Sequence, residues 1–564
     1  MNESNQSPRK EREESESSQA DTPAVNEKEK RKELKRAGRI LCPPVTRGSG
    51  RDLDAWLMRE NARGIAVHYY KEERTIAPAS SGPISALTNQ AWERPNWDAA
   101  TTGNRSQNDR CRSPSPHYFK RNALRQKLKY RPMSTPNVSL CSPRCSSGQG
   151  PNIPVLAASP KPEQCPEDHI VVRMDRFGFS ANNVTYQALG EHPHFRYFDF
   201  HPAPKASDGS TGPETHGLIP VWGFGTVIAS GHPKIQEGER IYGYFAPTRY
   251  LLLPVSPADV NKYSFYVSRP HLPPDRRPYN QVLRCATDLQ YSPDPLAEDL
   301  TMLYRPLFWT SYWCEDWVHS SGYRGGVSNV LISSASSKTA FCLAYLIGKR
   351  IQRGEVSANT KIIGLTSKRN VAFTKKLALY HEVYDYDSFT AAPSFQGGQE
   401  KRWLYVDVAG SGDLNKRITA HFSSPYTGRM AACVALGMTN LSPSSDAGTS
   451  MNWSANTFDT AATNDSNEVA SSFWPRMEQF FMVEWLDVRR HQIPIVEIFE
   501  RQNLAWKELM QECTGWVELE RINGPAAVKK AYEKLSKEGL GPEKGLIWSL
   551  WDGESTNTKI LSRL

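Results

Sequence analysis

The feature that most constrains the fold is a regular alternation of strand-like and helix-like segments between residues 297 and 436. Amphipathic pieces such as "TAFCLAYLIGKRI" separate short β-branched runs, and Ala297–Tyr323 has the three- and four-residue apolar spacing of a helix. Strands joined by helices of this length form right-handed crossovers, which predicts a parallel, doubly wound α/β sheet covered on both faces. The strands predicted in this way are Val330–Ser333, Lys361–Thr366, Glu382–Tyr386, Trp403–Val408 and Met430–Leu436.

A second unit precedes this one. Residues 170–254 contain short strands separated by glycine turns, and the alternation in "GTVIAS" and "RIYGYF" predicts an antiparallel, barrel-like sheet. Near the C-terminus, "GLIWSLW" resembles a closing strand. The polar stretch Thr439–Ser471 predicts an extended surface loop.

The charge of the chain is concentrated before residue 166. Residues 1–165 contain 28 Lys and Arg against 18 Asp and Glu, whereas the whole chain contains 69 and 60, so the remainder has 41 and 42. This basic stretch is rich in Ser, Pro and Asn and predicts a disordered tail. Its densest basic runs, Lys28–Arg39 and Lys120–Arg131, leave nuclear import, RNA contact and a plain solvated helix open.

No apolar run is long enough to span a bilayer, and the first residues lack the apolar core of a signal peptide. We therefore expect a cytoplasmic protein without a membrane partner, and nuclear import through the tail remains open. A nucleic-acid partner is not expected for the folded part, because the basic excess belongs to the tail and any contact with RNA or DNA would rest on the tail alone. The pair Cys141 and Cys145 has no second pair or nearby histidine, so we predict no metal site.

The segment "SSASSKTA", residues 333–340, lies between the first predicted strand and its helix. A dinucleotide turn needs small residues at this place and a helix whose first NH groups face the phosphates. The turn contains no glycine, so no residue in it takes a positive φ without strain. Two other interpretations stay open. The segment could be a plain connector between strand and helix. It could also be a P-loop that uses Lys338, Thr339 and a magnesium-binding Asp407, although the glycines of a P-loop are missing.

The end of the next strand favours a phosphorylated cofactor. NAD-binding folds usually place an acid here for the ribose hydroxyls, whereas this chain has Ser367, Lys368 and Arg369. A hydroxyl group and two cations can form charge-assisted hydrogen bonds with a 2′-phosphate. The sequence therefore predicts NADP(H) rather than NAD(H), against the alternative of a solvated helix start.

Taken together, "RFGFSANNVTY", "PVWGFG", "SSASSKTA" and "GLTSKRN" resemble the family catalogued as domain of unknown function 2855. The order of motifs also resembles the zinc-free, quinone oxidoreductase-like branch of the medium-chain dehydrogenase/reductase superfamily. The resemblance covers roughly residues 168–564. It departs from the superfamily in the glycine-free turn, and from its zinc-dependent members because "VWGFG" has no ligand and only His232 lies nearby.

The resemblance implies a GroES-like β-barrel followed by a Rossmann domain, with the cofactor in the cleft between them. We expect a disordered tail at 1–165, a GroES-like domain at 166–310 completed by about 500–564, and a Rossmann-like domain at 311–499. The residues expected to bind NADP(H) are Ser334, Ser336, Ser337, Lys338, Ser367, Lys368, Arg369, Tyr386, Gly410 and Gly437.

The implied activity is that of an NADPH-dependent, zinc-independent oxidoreductase of the quinone oxidoreductase or enoyl reductase type. Its substrate would be a small molecule such as a conjugated carbonyl compound or a quinone, and a homodimer is left open. Candidate catalytic residues on the barrel side are Asn183, Tyr186 and Tyr279. The alternative is a non-catalytic protein that binds NADP(H) as a sensor or scaffold.

Overall fold

The computed structural model describes residues 135–149, 153–424, 426–437 and 475–553. Residues 1–134, with both basic runs, and the predicted loop Thr439–Ser471 lie outside the described residues. None of the described helices combines the length and hydrophobicity that a bilayer-spanning helix needs.

The first unit is a barrel-like sheet whose neighbouring strands run antiparallel, except for its two C-terminal strands, which pair in parallel. Its strands follow the order β16-β17-β3-β5-β6-β9-β8, and β7 also pairs with β3. The long β3 pairs with β5 along most of its length, with β7 along its first part and with β17 at its end, where Ile547 lies opposite Gly178. The strands are β3 (His169–Phe179), β5 (Val221–Ser230), β6 (Arg240–Phe245), β7 (Tyr250–Pro254), β8 (Ser264–Tyr266), β9 (Gln281–Arg284), β16 (Glu518–Asn523) and β17 (Lys544–Ser549).

A small sheet corrects the predicted boundary of the tail. Strand β1 (Asn137–Pro143) pairs antiparallel with β2 (Val155–Ser159) and, at its end, with β4 (His216–Gly217). The expectation that residues up to 165 are disordered is therefore wrong for these two strands. The serines and the proline of "NVSLCSP" weaken the sequence pattern of a strand. Burial of Leu140 and Cys141 against the rest of the fold stabilises this strand.

The second unit is a six-stranded parallel sheet in the order β12-β11-β10-β13-β14-β15. Renumbered along this unit, the order is 3-2-1-4-5-6, which is the order of the Rossmann fold. The predicted fold class, a GroES-like β domain plus a doubly wound Rossmann domain, is confirmed. Five of the strands lie within one residue of their predicted bounds: β10 (Asn329–Ile332), β11 (Lys361–Thr366), β12 (Glu382–Asp385), β13 (Arg402–Asp407) and β14 (Arg429–Ala435); β15 is Met477–Gln479.

Helices connect and cover these strands. A helix of eight residues follows β3, a helix of 26 residues leads from the barrel into the parallel sheet, and a tight turn at Gly322–Gly325 ends that connection. The helices are α1 (Ala181–Ala188), α2 (Pro295–Ser320), α3 (Lys338–Gln352), α4 (Val371–Lys376), α5 (Gly412–Phe422), α6 (Met482–Gln492), α7 (Ile495–Glu512) and α8 (Pro525–Glu538).

Successive residues of the parallel strands pack into two different cores. Val330 and Ile332 of β10 belong to the cluster that contains α3, whereas Leu331 between them belongs to the cluster that contains α5. This alternation is the side-chain period of a strand, and it shows that helices cover both faces of the sheet. The crossovers from β10 and β13 leave toward opposite sides, so a crevice opens where these two neighbouring strands end.

Candidate functional site

A cleft of about 770 Å³ joins this crevice to the barrel, a volume typical of small-molecule sites. The side of the cleft that the Rossmann sheet forms is called the nucleotide wall. It is lined by the serine turn (residues 333–337), by the start of α3 and by the ends of β11 and β14. The barrel wall of the cleft is formed by α1, by β5 and by the 3₁₀ segment Pro274–Asn280. Predicted site residues that line the cleft are Tyr186, Tyr279, Ser334, Ser336, Ser337, Lys338, Arg369 and Gly437.

Serine replaces glycine at the strained position of the turn. Ser334 has a φ of 51°, in the left-handed region that costs a non-glycine residue about 1–2 kcal/mol. Two tyrosines hold the turn in this conformation: Tyr386 Oη accepts the Ser334 NH at 3.1 Å, and Tyr380 Oη donates to the Ala335 carbonyl at 2.9 Å. Tyr386, predicted as a cofactor residue, therefore supports the turn, and burial raises its pKa to about 12.

The glycine that permits close packing lies in the neighbouring strand. A Cβ placed on Gly364 of β11 would lie 2.7 Å from the Cβ of Ala335, closer than two carbon atoms can approach. The turn and the strand therefore fit together because one of the two positions has no side chain.

A buried carboxylate fixes the start of the turn to the end of β13. Asp407 is fully buried, and its Oδ1 accepts hydrogen bonds from Ser333 Oγ and the Gly410 NH, both at 2.9 Å. Its Oδ2 accepts from Asn415 Nδ2 at 2.7 Å, and burial raises the pKa of Asp407. Because internal donors occupy both oxygens, Asp407 is not positioned to bind magnesium as the P-loop interpretation required.

The first turn of α3 presents backbone donors to the cleft. Ser337 caps the helix by accepting the Ala340 NH at 3.4 Å, and Ser336 Oγ accepts from Thr366 and Asn370. Among the described residues no acceptor pairs with the backbone NH of Lys338 or Thr339. These NH groups begin a 15-residue helix and lie beside the cleft, so they can bind an anion.

The side chain of Lys338 is placed differently from the prediction. Only 7% of the residue is exposed, and Nζ donates to the carbonyl oxygen of Lys544 at 3.0 Å rather than pointing along the turn. Burial lowers the pKa of Lys338 to about 8. Its ammonium group therefore links the start of α3 to β17 of the barrel.

The predicted ribose corner begins at the end of β11. Ser367 Oγ is buried without a hydrogen-bond partner in the part of the chain that the structure describes. Lys368 and Arg369 follow in a 3₁₀ turn; both are exposed, and neither forms an ion pair with a described residue. Arg369 lines the cleft, whereas Lys368 and Ser367 lie just outside its lining.

The two predicted glycines have different environments. Gly437 lines the cleft, and a Cβ there would lie 2.8 Å from the Val408 carbonyl oxygen. Gly410 has a φ of 65° and turns the chain after β13, away from the cleft lining. Gly437 is therefore a wall residue, and Gly410 shapes the loop that holds Asp407.

On the barrel wall, Asn183 does not face the cleft. Its Oδ1 accepts the Ser180 NH at 2.9 Å at the start of α1, and its Nδ2 donates to the Pro220 carbonyl at 3.0 Å. Both ends of the amide are therefore used in holding the helix. The neighbouring Asn182 is the residue that contacts Tyr186, and its Nδ2 lies 2.7 Å from Tyr186 Oη.

Aromatic rings form most of the surface around Tyr186. Tyr279 lies with its ring centre 4.9 Å from that of Tyr244 and 6.3 Å from that of Trp222. Trp222 Nε1 donates to Tyr186 Oη at 3.4 Å. Sequence reasoning missed Asn182 and Trp222 as site residues, although the four-residue spacing from Asn182 to Tyr186 on α1 was a usable signal.

Comparison with known proteins establishes the family of this chain. Residues 177–541 match the model of the family described as "Protein of unknown function (DUF2855)", and the chain belongs to that family. No curated protein sequence matches the chain. The predicted family is therefore confirmed.

Solved structures with a similar architecture have low identity to this chain. The quinone oxidoreductase from Coxiella burnetii is 14% identical with a TM-score of 0.40, and the match covers 73% of this chain and 99% of that one. The yhdH oxidoreductase from Salmonella enterica, in complex with NADP, is 14% identical with a TM-score of 0.38 over 73% and 99%. CurA from Vibrio vulnificus, in complex with NADPH, is 11% identical with a TM-score of 0.40 over 74% and 100%.

Proposed function

We propose that the cleft binds NADP(H) and that the protein is an oxidoreductase that reduces a small conjugated carbonyl compound or a quinone. The observation that carries this proposal is the nucleotide wall. There, a helix whose first two NH groups have no acceptor among the described residues begins at the switch point of a Rossmann sheet. One strand away lie two cations that form no ion pair with a described carboxylate.

The residues present fit the dinucleotide. The NH groups of Lys338 and Thr339, with the hydroxyl groups of Ser336 and Ser337, would hold the pyrophosphate. Ser367, whose buried hydroxyl group has no hydrogen-bond partner among the described residues, would lie near the adenosine ribose together with Lys368 and Arg369. A 2′-phosphate would meet positive charge there, which supports NADP(H) over NAD(H).

The barrel wall would hold the acceptor. When bound, the dinucleotide would supply a hydride, which is one proton with two electrons, to the acceptor. Trp222 and Tyr279 offer flat faces on which a conjugated molecule can stack, and Pro306 and Leu307 of α2 add apolar surface. Tyr186 Oη, within the same lining, is the proposed proton donor, while Tyr279 is proposed to position the acceptor.

We further propose that the activity needs no zinc. His232 Nδ1 accepts the Lys234 NH at 3.1 Å within its own turn, and His232 is absent from the lining of the cleft. The described residues contain no group of three or more His, Cys, Asp or Glu side chains arranged to hold a metal. Activity that survives exhaustive chelation would support this part of the proposal, and activity restored only by zinc would overturn it.

Two contacts favour the alternative of a non-catalytic NADP(H) sensor or scaffold. Tyr386 already accepts the Ser334 NH, and the Lys338 ammonium group is already used by Lys544, so the turn offers fewer groups to a cofactor than its sequence suggests. Consumption of NADPH over a panel of enones and quinones separates the two functions. A sensor binds NADPH without consuming it.

The test of cofactor binding is a titration with NADPH and with NADH, followed by quenching of the tryptophans, since Trp222 and Trp309 line the cleft. The Lys368→Glu, Arg369→Glu variant should weaken NADPH binding by about tenfold to a hundredfold and leave NADH binding little changed, because charge-assisted hydrogen bonds to the 2′-phosphate are lost.

A matched control reverses two charges on the same crossover but outside the cleft. Lys375 and Lys376 of α4 are exposed and do not line the cleft, so Lys375→Glu, Lys376→Glu makes the same change in net charge. This control should bind NADPH like the wild type. Equal weakening in both variants would show a general charge effect, and failure of the wild type to bind either nucleotide at millimolar concentration would overturn the proposal.

A further inference from the structure

Two NH donors from different elements converge on one phenol oxygen in the cleft. Asn182 and Tyr186 lie four residues apart on α1, and Asn182 Nδ2 is 2.7 Å from Tyr186 Oη. Trp222 Nε1, from β5, reaches the same oxygen at 3.4 Å. Two tyrosine rings pack against the indole ring of Trp222 and fix it. Tyr242 is stacked on it with the ring centres 5.8 Å apart, and the ring centre of Tyr244 lies 5.0 Å away.

This arrangement makes Tyr186 a hydrogen-bond donor toward the cleft. A phenol oxygen accepts about two hydrogen bonds and donates one, and here Asn182 and Trp222 fill the accepting positions. The hydroxyl proton is then left for a partner beyond these two side chains. Tyr186 lines the cleft, so a bound acceptor can be that partner.

The same two donors favour the ionised form of the phenol. Burial raises the pKa of Tyr186, because a phenolate loses its hydration. The titratable groups that face it are Tyr244 on β6, Tyr279 on the 3₁₀ segment and Tyr197 after α1, and all of these are phenols as well. Hydrogen bonding with Trp222, Asn182 and Tyr244 opposes the effect of burial on the Tyr186 pKa, since such bonds strengthen as charge develops on the oxygen.

We propose that Asn182 and Trp222 form a phenolate pocket, which holds Tyr186 as the proton donor to the substrate and stabilises the phenolate that remains. The inference rests on the proposed function and deepens it, because it selects substrates that need a proton as well as a hydride. The O–H bond of Tyr186 breaks and its electron pair stays on Oη. The proton forms a bond to the electron-rich atom of the reduced acceptor, and a solvent water molecule then gives a proton back to Oη and leaves as hydroxide.

The pocket is tested without turnover by titrating the phenol itself. Replacing Tyr186 with a polyfluorinated tyrosine lowers the intrinsic pKa of the phenol, so that its absorbance change falls in a pH range where the protein stays folded. In this background Trp222→Phe and Asn182→Leu should each raise the phenol pKa by about one unit, as expected for the loss of a hydrogen bond to a charged group. Asn182→Asp, nearly isosteric, should raise it more because it adds a negative charge.

Thr310→Val is the matched control, since Thr310 lines the cleft but donates to Pro306 of its own helix and not to Tyr186. It should leave the phenol pKa unchanged. Binding of NADPH to each variant reports whether the cleft remains folded. A phenol pKa that stays within 0.2 units in all three pocket variants, by the resolution expected of such titrations, overturns the pocket.

A cycle of kinetic measurements links the pocket to the reaction. On the natural tyrosine, Trp222→Phe and Asn182→Leu should each lower kcat about tenfold with little change in KM, and neither should have a further effect in the Tyr186→Phe background. Equal effects in both backgrounds overturn the role of these residues as positioning residues. Absence of NADPH binding in the wild type overturns the proposed function instead, while the titration still decides whether the pocket exists.

Discussion

The two walls of the cleft are built by different means. The nucleotide wall consists of strand ends and the first turn of a helix, and its polar groups are mostly backbone atoms held in place by a regular sheet. The barrel wall consists of side chains that meet from α1, β5 and a 3₁₀ segment, and its contacts between these elements join residues tens of positions apart. The position of the first wall comes from the sheet topology, and Tyr380, Tyr386 and Asp407 hold its turn. The second wall depends on individual side chains that meet from separate elements.

The largest expected effect concerns the contact that joins the serine turn to β13. Asp407→Leu should lower the free energy of unfolding by about 3–5 kcal/mol, because Ser333, Gly410 and Asn415 lose a buried acceptor together. Urea unfolding measures it. Asp407→Asn keeps one acceptor and should cost less than half as much; equal costs for the two variants would show that the carboxylate is not the organising group.

The second effect concerns the lysine between the two walls. The pKa of Lys338 is lowered to about 8 from its ordinary value of 10.5. Below pH 8 the buried ammonium group therefore lowers the free energy of unfolding, and this loss of stability disappears as the pH rises toward 10.5. Lys338→Met should therefore raise the free energy of unfolding by about 2–3 kcal/mol at pH 7, and the gain should shrink between pH 8 and 10.5.

The exposed Lys376→Met, on α4, is the control for Lys338 and should change stability by less than about 0.5 kcal/mol at either pH. A Lys338→Met variant that is less stable than the wild type at pH 7 would contradict the account. It would mean that the hydrogen bond to the Lys544 carbonyl outweighs the cost of burying the charge.

The third effect tests the close packing of Gly364 on β11 against the serine turn. Gly364→Ala should lower the free energy of unfolding by about 2 kcal/mol, since its new methyl group would lie 2.7 Å from Ala335 Cβ and 3.0 Å from Tyr380. Adding Ala335→Gly removes one of the two clashing carbons and should recover at least half of the loss in thermal unfolding. No recovery in the double variant would place the strain at Tyr380 instead.

The smallest effect separates the two neighbouring asparagines of the barrel wall. Asn183→Ala should cost about 1 kcal/mol of stability, because Ser180 loses its cap partner and the Pro220 carbonyl loses a donor. Asn182→Ala, at a half-buried position whose amide contacts Tyr186, should cost less than Asn183→Ala. Chemical denaturation of both variants measures the two losses of stability. The reverse order of these losses would show that the roles assigned to Asn182 and Asn183 are exchanged.

The same contrast explains what could be predicted from the sequence. The bounds of β10 to β14 follow from the alternation of β-branched strands and amphipathic helices, and with them the positions of the serine turn, Lys368 and Gly437. The placement of Lys338 Nζ on Lys544 could not be predicted, because that contact joins residues 206 positions apart. Strands β1 and β2 were missed because their stability comes from pairing with each other and with β4.

The barrel wall shows a finer limit. "NNVTY" revealed that an asparagine accompanies Tyr186, but only the phase of α1 shows that Asn182 shares the face of Tyr186 while Asn183 points to Pro220. The role of Trp222 depends on the register of β5 against β6, where Trp222 pairs with Tyr244. The composition of the motif determines neither the register of the strands nor the phase of the helix.

The most direct test of the central claim, that the cleft is an NADP(H) site at the start of α3, is amide hydrogen exchange with and without saturating NADPH. No described residue accepts a hydrogen bond from the NH groups of Lys338 and Thr339, so these groups should exchange rapidly in the free protein and become protected when the pyrophosphate accepts from them. Exchange at the outer strand β16 should not change. Unchanged exchange at Lys338 and Thr339 in the presence of NADPH would contradict the account.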